Sequence, residues 1–137
     1  MSDSLKQSLT ELTQQLLDSI AKGDWKTYTH LCDHSLTAFE PEACGHLVKG
    51  MEFHKFYFDN LSFRSPSNTT MADVDIRLMG PPDDPTAAVV NYIRLVQRMD
   101  GSGSATTSTY EETRVWEKQG SQWKHVHFHR SSTSRSS

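Results

Sequence analysis

Apolar residues recur at three- and four-residue spacing through the first stretch of the chain. Leu5, Leu9, Leu12, Leu16 and Ile20 form one stripe of "SLKQSLTELTQQLLDSIAKGDW", which predicts an amphipathic helix. Ser4 with Gln7 fits a capping box at its start, and Gly23 fits a C-terminal stop. Asp24 is placed to cap a second short helix, "WKTYTHLC", which carries Cys32. "LTAFEPE" reads as extended as far as Pro41, and "ACGHLVKG" as a small hairpin or turn. "MEFHKFYFDNL" has helix length, with Phe53, Phe56, Tyr57 and Leu61 on one side and His54 one turn from Phe58.

Beyond the polar loop "RSPSN" the period changes from helical to alternating. Strands are predicted at Thr69–Met79, Ala87–Met99, Ala105–Lys118 and Gln122–Arg130, separated by the turn sequences "GPPDDP", "DGSGS" and "QGS". Short connections between long strands imply an antiparallel meander. Helices first and sheet afterwards is an α+β layout, with the N-terminal helices packed on one face of a curved antiparallel sheet. Residues 1–131 then form a single domain, and 132–137 a disordered Ser/Thr-rich tail.

One strand is apolar on both faces. In "AVVNYIRLVQRM", Val90, Tyr92 and Val96 point one way while Val89, Ile93 and Leu95 point the other. Helices can cover only one side, so another subunit is the expected cover of the second. The plainer alternative is a strand that twists beneath a loop. In the last strand, "KHVHFHR", alternation puts His125, His127 and His129 on one face and Val126, Phe128 and Arg130 on the other.

Composition narrows the function. A chain of 137 residues suits one domain with a sizeable core. Its net charge of −3 and lack of a basic run exclude the electrostatic footprint of a nucleic-acid binder. No apolar run of membrane length is present, so no membrane partner is expected. Cys32 and Cys44 sit outside any CxxC pattern, which suggests reduced thiols in the cytoplasm.

Three arginines run in phase with the core. Arg94 aligns with Tyr92 and Val96, Arg114 with Glu112 and Trp116, and Arg130 with Val126 and Phe128. A guanidinium does not deprotonate, so its burial requires anionic or hydrogen-bonding partners. Either Glu112, Glu40 or Glu42 pairs with the arginines, or the arginines line a concave pocket for a small anion, most naturally a carboxylate. An anion sensor built on these groups should lose carboxylate affinity on Arg114→Ala. The alternating histidines could hold zinc only with further ligands, and His30, His34 and His46 offer no matching pattern in their helix or loop positions. A place at a subunit contact, where their titration could tune assembly, is the other use. No nucleophile elbow, phosphate loop or dinucleotide fingerprint is present. Tyr92 and Glu112 are the only pocket-lining candidates for acid–base work, and flanking arginines would make Glu112 a poor base.

Three segments carry a family resemblance. "GDWKTYTHLCDHSLTAFEPEACGHLVKGMEFHKFYF", "YIRLVQRMDGSG" and "EETRVWEKQGSQWKHVHFHRS", spread between Leu5 and Ser131, resemble the association, or hub, domain of calcium/calmodulin-dependent protein kinase II. That resemblance implies the cone fold of nuclear transport factor 2. It also implies a non-catalytic oligomerisation module that pairs and closes into two stacked rings, of dodecamer or tetradecamer class, to scaffold kinase subunits. An arginine-lined pocket able to bind a small carboxylate is implied too, with Arg94 in "YIR", Arg114 in "EETR", Arg130 in "HFHR" and His54 of "EFH" at its rim. No cofactor is implied. The chain lacks a kinase domain, a calmodulin-binding segment and an inhibitory helix, and "MSDS" suits either a free-standing hub-like protein or an excised domain. "RSPSNTTMADVDIRLMGPPDDPTAA" departs most from the family pattern, and Arg130–Thr133 has a basophilic-kinase spacing. The competing class is a small enzyme of the same cone fold, an isomerase or dehydratase acting in that pocket.

Overall fold

Packing of the apolar stripe sets the first layer. The computed structural model describes residues 2–60 and 67–133. In it helix α1 (Ser2–Lys22) buries Leu9, Thr13, Leu16 and Leu17, while Leu5, Leu12 and Ile20 pack at its margins. The helix starts before Ser4, so no capping box forms there. Instead Ser4 accepts a hydrogen bond from the Ser8 hydroxyl, and Gln7 reaches Glu11. Gly23 turns the chain at a φ of 70°, a left-handed conformation that favours glycine. Asp24 then caps helix α2 (Trp25–Leu31), accepting from the Thr27 amide at 3.1 Å.

Cys32 is not helical. It opens strand β1 (Cys32–Phe39), which also takes in His34, a residue the sequence reading left in helix or loop. A 3-10 turn follows at Pro41–Ala43, and a two-residue strand β2 (Val48–Lys49) folds back on β1, so "ACGHLVKG" supplies one arm of a hairpin rather than a whole one. Helix α3 (Glu52–Asn60) presents His54, not Phe56, to the core; Phe56 is 62% exposed. Leu61 and the first three residues of the "RSPSN" loop lie outside the described residues, as do the last four of the tail.

The four predicted strands form a meander: β3 (Ser67–Met79), β4 (Ala87–Met99), β5 (Ala105–Gln119) and β6 (Gln122–Ser132). Ser132 closes β6, and Thr133 beyond it donates its hydroxyl to the Thr109 carbonyl at 3.2 Å. The sheet order is β2-β1-β6-β5-β4-β3. All neighbours are antiparallel except β1 and β6, a parallel pair that the meander reading did not contain. Helices α1 and α2 pack on one face of this sheet, where Trp116 is fully buried and its indole donates to the Thr13 hydroxyl at 3.1 Å.

Register decides the fate of the histidine run. Val115 pairs with His127 but Trp116 pairs with His125, so Val126 is an extra residue, a β-bulge in β6. Strict alternation fails at that point. His125 turns into the core with no exposed surface, while His127 and His129 stay on the outer face. His127 meets the Thr37 hydroxyl at 2.7 Å, and His129 lies beside the Phe39 ring.

Candidate functional site

Three adjacent strands deliver the arginines to one place. On the inner face, Tyr92, Glu112 and Arg130 stand opposite one another across β4, β5 and β6. Arg94 is two residues along β4 from this row, and Arg114 two residues along β5 the other way. Because the side-chain period of a strand is two, all five share the face under the helices. Glu112 therefore sits between two guanidinium groups. Its Oε2 accepts from Arg94 Nη1 at 3.1 Å and its Oε1 from Arg114 Nη2 at 3.0 Å. Tyr92 donates its hydroxyl to the same Oε1, and in turn accepts from Arg114 Nε at 2.8 Å.

This cluster is a braced ionic core. The Glu112 side chain has no exposed surface, and those of Arg94 and Arg114 are 5% and 1% exposed. Burial alone would raise the Glu112 carboxyl, but the charges of Arg114 and Arg94 and the Tyr92 hydroxyl hold it down at about 2. The Tyr92 hydroxyl moves the other way, pushed up by burial. A carboxylate so firmly ionised is a poor proton acceptor, and a phenol so reluctant to ionise is a poor donor near neutrality. Tyr92 and Glu112 accordingly support the arginines from beneath and are not on the cavity wall.

Arg114 is fully occupied by its own chain. Its guanidinium also lies 4.4 Å over the Phe128 ring, and Nη1 points at His125 Nε2 at 3.3 Å. Arginine only donates, so His125 Nε2 must accept and its proton must sit on Nδ1. That N–H then faces Cys32 Sγ at 3.4 Å. Burial and the Arg114 charge keep the His125 imidazole well below its ordinary range, hence neutral. Burial pushes the Cys32 thiol up to about 12, so it is unreactive packing.

Above this base lies a cavity of about 610 Å³ between the sheet, α1, α2 and α3. Arg94, Arg114, Arg130 and His54 all stand on its wall. His54 is no rim residue, however: it is buried, and its Nε2 meets Glu40 Oε2 at 2.6 Å. Arg130 is held by Glu42, with both carboxylate oxygens on Nη2, and its guanidinium lies 5.2 Å from the Tyr110 ring. Burial opposes the charges of both partners, but the pairing wins, lowering the Glu42 carboxyl and raising Arg130. Ile20, Tyr28, Phe58, Val96 and Phe128 supply the apolar part of the wall.

Four buried polar atoms among the described residues lack a hydrogen-bond partner: His54 Nδ1, Thr69 Oγ1, Arg94 Nε and Arg130 Nε. All four belong to residues on this cavity wall. Buried polar groups without partners are uncommon and costly. The sequence reading missed Thr69, Tyr110 and the His125 contact. Tyr110 was findable, being in phase with Glu112 and Arg114; Thr69 comes from β3, across the sheet, and has no such signal.

Comparison with known proteins follows the same lines. The family model described as calcium/calmodulin dependent protein kinase II association domain matches residues 5–134. Subunit delta of calcium/calmodulin-dependent protein kinase type II from Oryctolagus cuniculus is 48% identical over 128 residues, covering 92% of this chain and 23% of that protein. The chain thus spans about a quarter of the length of the curated relatives it matches. The solved association domain of the C. elegans kinase superposes with a TM-score of 0.87 at 44% identity, covering 95% of this chain and 97% of that one. A nuclear transport factor 2-like superfamily protein from Salmonella enterica serovar Typhimurium, 20% identical with a TM-score of 0.77 over 100% of this chain and 96% of its own, shares the cone fold alone.

Proposed function

The chain belongs to the calcium/calmodulin-dependent protein kinase II association-domain family, a non-catalytic one, and from that premise we propose that it assembles with copies of itself into a two-layer ring. The ring is of dodecamer or tetradecamer class, each subunit contributes residues 1–131 as one domain, and the assembly scaffolds kinase subunits in the cytoplasm. The observation that carries this reading is the outer face of β4. Val89, Ile93 and Leu95 are half-buried there, and the helices lie on the opposite face. A run of apolar groups left at the surface of a small domain marks an interaction site. Light scattering coupled to size exclusion tests it: a mass of a dozen or more subunits is expected, and a monomer at micromolar concentration would sink it.

The cavity carries a second role in the same protein. We read it as a site for a small carboxylate, held by Arg94 and Arg130 with His54 and Thr69. Three of the unpartnered atoms support this reading, since a carboxylate supplies acceptors for the Arg94 and Arg130 Nε–H groups and for the Thr69 hydroxyl. Calorimetric titration with butyrate, against neutral butyramide, tests it. Heat from butyrate alone is expected, and equal signals from both would refute a charge-reading site.

A further inference from the structure

The loop between β1 and β2 places two carboxylates on the cavity wall, and they are held very differently. Glu40 meets His54 with both side chains nearly sealed, at 5% and 8% exposure. Glu42 meets Arg130 with 36% of its own side chain in solvent. Between them Pro41 begins a single 3-10 turn, and the chain then passes through Cys44 and Gly45 at φ of 53° and 90°. Glu40 is thus an anchor. Glu42 sits beyond it in the turn, outside the β1 ladder, with its neighbour Ala43 packed against the core.

The contact itself is incomplete. Both Glu42 oxygens lie on one nitrogen, Arg130 Nη2, while Arg130 Nε is buried without a partner. A guanidinium binds a carboxylate best through two parallel N–H groups. A free carboxylate arriving in the cavity can span Nε and Nη2 and satisfy the donor that Glu42 leaves open. The Tyr110 ring beside the guanidinium keeps Arg130 in place during such an exchange. Arg94 differs: its partner Glu112 has no exposed surface and no route out.

We propose that Glu42 is an intramolecular competitor for the anion site, occupying Arg130 until an incoming carboxylate displaces it and frees the turn at Pro41–Ala43. The proposal rests on the carboxylate reading of the cavity. It makes Glu42 an affinity-setting residue, and it makes the segment 42–46 the part of the surface that responds to occupancy. Exchange requires no net change in charge on Arg130, only a change of partner.

Glu42→Gln tests it, since the amide keeps the shape and removes the competing charge. Butyrate should bind the variant about fivefold more tightly than wild type, the strength expected of a half-exposed ion pair. In wild-type protein, saturating butyrate should also speed amide hydrogen exchange at 43–46, a readout that needs no variant. Wild type that binds butyrate, with a variant binding equally or more weakly, overturns the competitor and leaves the carboxylate site standing. Unchanged exchange at 43–46 on saturation overturns it as well. Absence of butyrate binding in both proteins removes the site and the competitor together.

Discussion

The two faces of the sheet solve opposite problems. Inside, Arg94, Arg114, Glu112 and Tyr92 form a linked set of charges and hydroxyls in which Arg94 Nε alone is left open. Outside, Val89, Ile93 and Leu95 remain half-covered, beside Asn91 and Thr113, which bond to each other at 2.7 Å. Part of the inner face is polar where a core should be apolar, and the β4 stretch of the outer face is apolar where a surface should be polar. The difference teaches that this chain is finished on one side only. Most of its buried charges are paired within the chain, while the apolar stretch of β4 stays half-covered.

The largest way to break that contrast is to open the inner set. Glu112→Ala leaves two buried guanidinium groups facing each other, and a loss of roughly 3–5 kcal/mol is expected from denaturant unfolding. Glu112→Gln should recover only part of it. Ile93→Asp breaks the outer face instead. It should reduce the mass of the assembly to small species while the far-ultraviolet circular dichroism of the subunit is unchanged, because a charge placed on an uncovered face disturbs only what docks there. If the two variants exchanged their effects, the assignment of roles to the faces would be wrong.

Acid sharpens the comparison, since the inner face holds the most deeply buried of the shifted groups, His125 and Glu112. His125 is buried neutral, with its pKa far below the ordinary 6.5, so the unfolded chain takes up its proton first. Stability should fall as pH drops below 6.5, by up to about 1.4 kcal/mol per pH unit from this one group. Glu112 has the depressed carboxylate of the pair, at about 2 against an ordinary 4.5, so its contribution is whole above 4.5 and is lost between those values. His125→Gln should flatten the first slope and leave the second, as read by thermal melts in a pH series. Smallest of all, His129→Ala on the exposed outer face should change subunit stability by less than about 0.5 kcal/mol. An effect there on assembly mass alone would place His129 in the docking surface.

Much of this was legible from alternation. The strands Thr69–Met79 to Gln122–Arg130 were bounded by turn chemistry, and the inward phase of Arg94, Arg114 and Arg130 followed from a period of two. Glu112, Glu40 and Glu42 were legible as candidate partners, but which arginine each one meets was not, apart from Arg114 and Glu112 on one strand. Register brings Arg94 of β4 to Glu112 of β5, and the fold of the turn at Pro41–Ala43 brings Glu42 to Arg130. The histidine run misled for a related reason. One bulge at Val126 inverts everything before it, and nothing in "KHVHFHR" announces a bulge. Strand β1 was half hidden because its ladder is with β6, some ninety residues later, and "CDHS" has little strand character of its own.

That parallel pairing has a consequence for the order in which the molecule is made. Cys32 and His125 are 93 positions apart, so β1 emerges early in synthesis and waits for the strand that completes it. Until β6 appears, β1 has only the two residues of β2 beside it, and its other edge is an open template for stray strands. The helices and the β3–β5 meander can form from local contacts, but the join between them is a late, non-local event. A stop anywhere inside β6 would therefore do more than trim an edge. It would leave β1 and β2 without the strand that ties them to the meander, with only α1 still packed on β3 and β5.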